Sequence, residues 1–248
     1  MSKWIAAALC LALPLAGAVA ARQQQQRKPW TEWTRKEAEK ILNDSPWGRT
    51  QVETDTSEMF FRPQPAPNVF TGASNADPRR DARGGATNQS TEIRYRIRFF
   101  SARPVRRALA RLALLDMRGA DPEATARLRL FAESPSNEKI IVSVSYESDD
   151  GRYSGAALQA FASATAATLK NNTYLETKGG GRLFVEQYVP PGKEGYGALF
   201  VFPRVVRERP FLTRDSGEVR FFSEVGRNIK LDVRFDVAQM IYEGSLEY

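Results

Sequence analysis

The sequence predicts an α+β fold, with a mixed or antiparallel sheet, about three helices in the first half of the main domain, and a short docked helix ahead of it. Three observations carry that prediction. Apolar residues recur at helical spacing between residues 104 and 169; they alternate with polar ones at 93–99, at 139–147 and repeatedly beyond 174; and Gly, Asn, Asp and Pro mark the joints. Of the 248 residues, 42% are hydrophobic and 17 are glycine, an ordinary globular composition that excludes collagen-like and wholly disordered classes.

The elements follow in order. Lys3 precedes an uncharged run over residues 4–21 that is broken at Pro14 and Gly17 and closed by Ala18-Val19-Ala20. Charge, apolar run and A-x-A site are the parts of a secretory signal peptide. Residues 1–20 are therefore expected to be removed, with the cut after Ala20, and the protein to be exported to the periplasm or beyond. The alternative is an uncleaved anchor, since 18 uncharged residues just reach the length of a membrane span; membrane contact is expected only in that case.

Residues 21–61 read as a polar spacer followed by a Trp-flanked helical segment. Thr34 and Glu37 form a capping box, Ala38, Ile41 and Leu42 fall on one face, and Asn43-Asp44-Ser45-Pro46 stops the helix. A helix this short needs a surface to dock on. Residues 62–91 carry four prolines and several Gly, Asn and Asp with no period, a loop or linker.

The α+β domain is expected over residues 92–248. Ile93, Tyr95, Ile97 and Phe99 alternate with Arg94, Arg96 and Arg98, a half-buried strand. Pro104 opens a helix with Val105, Ala108, Leu109 and Leu112 on one face and Arg103, Arg107 and Arg111 on the other. Asp121, Pro122 and Glu123 start a second helix, through Leu128 and Phe131. A strand follows at 139–147. A third, alanine-rich helix is expected at 156–169, with Leu158, Phe161, Thr165 and Leu169 on one side. Strands are expected at 174–177, 183–189, 198–202, 219–225 and 229–237, the last two joined as a hairpin by Gly226-Arg227-Asn228, and residues 242–248 are expected to close the sheet.

Two absences limit the chemistry. There is no histidine, and the single cysteine, Cys10, lies in the segment expected to be removed. Ser-His-Asp and Cys-His nucleophiles, His and Cys zinc sites, iron–sulfur clusters and disulfides are thereby closed to the mature chain. No catalytic, metal-ligating or cofactor-binding residue is predicted, and no cofactor. Ser136-Asn137-Glu138-Lys139 matches the S-x-x-K string, but it enters a strand, where residues three apart point to opposite faces. Glu147, Asp149, Asp150 and Gly151 lack the spacing of a calcium loop and read as a turn. A hydrolase built on two carboxylates stays open, because two acids brought together in space need no local motif.

The runs Tyr188-Val189-Pro190-Pro191 and Gly195-Tyr196-Gly197-Ala198-Leu199-Phe200-Val201-Phe202-Pro203-Arg204, with Asn43-Asp44-Ser45-Pro46-Trp47, resemble a group of exported bacterial proteins that carries no known activity. The resemblance covers about a tenth of the chain and implies no site.

Charge gives the remaining candidates. Between residues 79 and 111 stand ten arginines against Asp81 and Glu92, while the whole chain is +7. The expected function is that of an exported, non-enzymatic structural or interaction protein. Its alternative is a binder of an anionic envelope polymer or an acidic protein through Arg94, Arg96, Arg98, Arg103, Arg107 and Arg111, because clustered guanidinium groups grip phosphate and carboxylate. Internal pairing of those arginines, with acids such as Asp232 and Asp236 across strands, is the structural counter-reading. Nucleic acid is not expected as the partner of an exported protein. Trp30, Trp33 and Trp47 are a candidate partner surface, weighed against packing into the chain's own core.

Overall fold

Strand β1 (Gly48–Asp55) pairs antiparallel with β2 (Thr91–Phe99), in a register that runs from Gly48 opposite Arg98 to Asp55 opposite Thr91. The five-stranded sheet therefore has strands on both sides of residues 56–90, and the domain expected over 92–248 also takes in residues 48–55. Sequence reasoning missed β1 because its pattern is inverted: Val52 is exposed, while the polar Arg49, Gln51 and Glu53 share the inward side with Tyr95 and Ile97. The computed structural model describes residues 28–55, 91–117, 119, 121–135, 138–148 and 151–248. The signal-peptide, linker, Ser136 and Asp149-Asp150 readings fall outside the described residues.

The first sheet is completed by β3 (Lys139–Ser148), β7 (Ala198–Pro203) and β6 (Gln187–Val189), in the order β1-β2-β3-β7-β6, every pair antiparallel. The second contains β4 (Thr173–Thr177), β5 (Arg182–Phe184), β10 (Glu218–Val225) and β11 (Ile229–Asp236), in the order β11-β10-β4-β5. The fold is α+β. Residues 183–189, expected as one strand, are two strands in different sheets. Val185 N–H donates to Thr173 O at 3.1 Å and Glu186 N–H to Val201 O at 2.8 Å, so the extended run changes partner between those two residues.

At the opposite edge side chains of β1 stitch the sheets together: Arg49 Nε donates to Arg234 O at 3.4 Å. The Gln51 amide donates to Lys230 O at 2.6 Å and accepts from Asp232 N–H at 2.8 Å, doing for β11 what a neighbouring backbone would do. Between the sheets, Phe99 meets Phe235 edge-on at 4.9 Å and Phe200 meets Phe221 at 5.5 Å, all four fully buried. β8 (Val205–Val206) and β9 (Arg209–Pro210) form a small hairpin. β12 (Ile241–Tyr242) and β13 (Ser245–Leu246) form another, which corrects the expectation that residues 242–248 extend the sheet.

Helix α1 (Arg35–Asn43) has the expected capping box: Glu37 Oε2 accepts from Thr34 N–H at 2.6 Å and Thr34 Oγ1 accepts from Glu37 N–H at 3.2 Å. It is docked, with Ala38 and Leu42 in the core. Trp30 is buried beside Ala110 and Ala132 and donates to Glu133; Trp47 is buried, donates to Glu247 O and stands edge-on to Tyr242. Helix α2 (Arg103–Asp116) has Pro104 in its first turn, and α3 (Pro122–Glu133) is capped by Asp121, which accepts from Glu123 and Ala124 N–H.

The third helix departs from expectation. It is two helices, α4 (Gly151–Ser163) and α5 (Ala166–Leu169), because Thr165 turns extended and caps a new start. Within α4 the inward face is set by Ala157 and Phe161, one turn apart, with Phe161 stacked on Tyr146 at 5.5 Å, and Leu158 is left half exposed.

Candidate functional site

A cavity of about 670 Å³ opens where the ends of β1 and β2, helix α4 and the β10–β11 turn meet. That volume lies within the ~300–1,000 Å³ of small-molecule sites, which also favour the mouths of β-barrels. Ala156, Ala157 and Ala160 form one wall, and Ile93, Val225 and Ile229 continue it. Alanine is what leaves the space, since Ala157 and Ala160, packed against the core, have no side chain beyond Cβ, and Ala156 stands at the rim. Arg227 and Asn228 stand at the turn.

Polar chemistry enters from β1 and β2. Glu53 and Tyr95 line the cavity, and each shifts the titration of the other. Burial raises the Glu53 carboxyl above the ordinary carboxylate range, partly offset by the Gln51 amide, which donates to it at 3.4 Å, and by the nearby polar groups of Tyr95 and the Lys230 main chain. Burial, then the Glu53 charge, lifts the Tyr95 phenol above its usual range. The pair can hold a proton and present a donor and an acceptor in a partly desolvated setting. Among the described lining residues Glu53 is the one carboxyl, whereas glycoside hydrolysis of the usual kind needs two. Among the described residues, no group of three or more Asp, Glu or Cys side chains is gathered as a metal site requires.

Because the Glu53 pKa is raised on folding, the folded chain binds that proton more tightly than the unfolded one. The resulting stability is complete below the unfolded carboxylate pKa and is lost as pH rises through the folded value. Glu53→Gln, uncharged and nearly isosteric, is therefore expected to gain stability relative to wild type between about pH 4 and pH 8. Urea midpoints at the two pH values measure this, and a constant offset between the proteins would contradict it.

The six candidate arginines do not form an open cationic stripe. Arg96 is paired with Glu147, and Arg94 with Glu92 at 2.9 Å. Arg98 is buried under the end of α1, where it donates to Leu42 O at 2.9 Å, Asn43 Oδ1 at 3.0 Å and Ser145 Oγ at 3.2 Å. Arg103 grips Glu247, Arg107 grips Glu133 and Glu243, and Arg111 donates to Trp33 O. The acids expected across β11 serve other partners: Asp232 takes Arg220 at 2.6 Å, and Asp236 caps a short turn through Ala238 N–H. Of the three tryptophans, Trp30 and Trp47 lie in the interior and Trp33 is half-buried, donating to Lys28 O.

Sequence reasoning missed Glu53, Tyr95 as a polar group, and the buried Arg106. Arg106 left a signal, since Ala102, Arg106 and Ala110 are spaced i, i+4, i+8 and all three are buried. Glu53 left a weaker one, the alternation of β1 without an apolar face.

Geometry thus defines an α+β protein with two facing antiparallel sheets and an apolar cavity that carries one Glu–Tyr pair. No family model, curated protein or solved structure matches the chain.

Proposed function

We propose that the protein is an exported, non-enzymatic binding protein whose cavity takes a small apolar molecule with one hydrogen-bonding end. The observation that carries the reading is the wall of Ala156, Ala157, Ala160, Ile93, Val225 and Ile229 around the Glu53–Tyr95 pair. Apolar walls contribute affinity by burying ligand surface, and a few convergent polar groups set orientation. Export is supported by the charge, apolar run and small-residue site within residues 1–20. Engagement of the six arginines within the chain supports a structural role for them rather than a seat for an anionic polymer.

The neutral dye Nile red, whose emission rises in apolar surroundings, is the probe. Wild type is expected to bind it saturably, and Ala160→Phe, which fills the cavity from α4, is expected to weaken binding about tenfold. Unchanged binding by a folded Ala160→Phe protein removes the cavity from the reading. Hydrolysis of an envelope glycan or ester, abolished by Glu53→Gln without loss of fold, would overturn the non-enzymatic part and make Glu53 an acid or base.

A further inference from the structure

We propose that the ligand of the apolar cavity ends in a primary ammonium group held by Glu53, an inference that rests on the cavity being a binding site. The ligand class is then a lipophilic amine, with its cation beside Glu53 and its hydrocarbon body against Ala157, Ala160, Val225 and Ile229.

Two observations point to a cation. The first is that Glu53 lines the cavity without a countercharge: among the described residues its carboxylate takes part in no ion pair. The groups that act on it, the Gln51 amide, the Tyr95 phenol and the Lys230 main chain, are all neutral. The Lys230 ammonium itself lies elsewhere, 5.6 Å from the centroid of the Phe222 ring. The second is that the nearest donor is already committed. The Gln51 amide gives its short hydrogen bond, at 2.6 Å, to Lys230 O across the seam between β1 and β11, and reaches Glu53 Oε1 only at 3.4 Å. The carboxylate therefore keeps acceptor capacity toward the cavity, in a setting where burial disfavours its charge. A cation beside it offsets that cost.

The alternatives fit less well. An alcohol would hydrogen-bond to the carboxylate and leave its charge as it stands, and a carboxylate ligand would bring a second negative charge beside the first. An ammonium supplies the opposite charge and three donors, which the Glu53 oxygens and the Tyr95 hydroxyl can share. Arg227 is the one cation among the described lining residues, and it is exposed on the β10–β11 turn, where water screens it. The walls then take the rest of the molecule, since each methylene moved from water onto apolar side chains adds to affinity.

Calorimetric titration at about pH 8 with three probes that share one tail, n-octylammonium, 1-octanol and octanoate, tests the assignment; an alkylammonium, like the lysine side chain, stays protonated there. Wild type is expected to bind octylammonium about tenfold more tightly than 1-octanol, and octanoate most weakly. Glu53→Gln is expected to bind octylammonium and 1-octanol within about twofold of each other, whereas Ala160→Phe weakens both. A second readout needs no variant. At about pH 4, protonation of Glu53 is expected to weaken octylammonium about fivefold and to leave 1-octanol unchanged, since Arg227 keeps its charge and Tyr95 its proton over that range. Equal affinities of amine and alcohol in wild type, a preference for the amine that survives in folded Glu53→Gln, an amine affinity that does not fall with pH, or tighter binding of octanoate overturns the ammonium assignment and leaves the cavity reading standing. Absence of binding by all three probes overturns the cavity reading and the ammonium assignment together.

Discussion

Gly197→Ala is expected to lower the unfolding free energy by about 4 kcal/mol or more, the range reserved for backbone collisions and similar faults. Gly197 has φ +81°, and a Cβ there would lie 2.1 Å from Val144 O and 2.6 Å from Val144 C. The chain enters β7 at this point, with Ala198 paired to Val144, so the glycine lets one strand pass against the carbonyl of its neighbour. Neither atom can move without breaking the β3–β7 ladder at the centre of the five-stranded sheet. Gly180 provides the control: its φ is also +81°, but nothing lies within 4 Å of its Cβ position. Alanine there is expected to cost about 1 kcal/mol, from φ alone. Urea unfolding of the two variants separates the collision from the dihedral preference, and equal losses would mean that the close approach to Val144 is absent.

Arg98→Ala is expected to cost about 3 kcal/mol, and Arg96→Ala, two residues along the same strand face, less than about 1 kcal/mol. Arg98 is 6% exposed, and its removal strands Leu42 O and Asn43 Oδ1 at the end of α1 while leaving a void beneath the helix. Burial, then the neighbouring Arg96 charge, pulls its pKa down to about 10, which still leaves it charged at neutral pH. The exposed Arg96–Glu147 pair is screened by water. Chemical denaturation of both proteins measures the contrast. Comparable losses would mean that Arg98 does not secure α1, and would return the arginine face to the list of ligand surfaces.

How much of this protein is legible in its sequence depends on the reach of each determinant. Period-two alternation located β2, β3, β10 and β11, and Gly226-Arg227-Asn228 located the hairpin between the last two, because strand periodicity and turn chemistry are settled within a few residues. The same holds for the Thr34–Glu37 box of α1 and the Asp121 cap of α3. With helices in the first half and strands beyond them recognised, the α+β class followed, and whether the sheet was mixed or antiparallel stayed open.

What lay beyond that reach was decided by partners distant in the chain. β1 has no apolar face, and it is a strand because β2 supplies its hydrogen bonds and Gln51 reaches β11, some 180 residues away in sequence. Residues 183–189 look like one strand, and only the positions of Thr173 and Val201 divide them between two sheets. The site follows the same rule. A run of arginines reads identically whether it faces solvent or acids, and folding brought Glu147 to Arg96 on β2 and Glu247 and Glu243 to Arg103 and Arg107 on α2. Glu53 becomes a perturbed carboxyl, and the alanines of α4 become a cavity wall, only when β1, β2 and the β10–β11 turn converge. Local sequence determined those helices and strands that carry an apolar period and caps of their own, since backbone sterics and capping act over neighbouring residues. Tertiary structure decided which charges are paired, which are buried and where space remains, because desolvation and Coulomb energies depend on the groups gathered around each side chain in space.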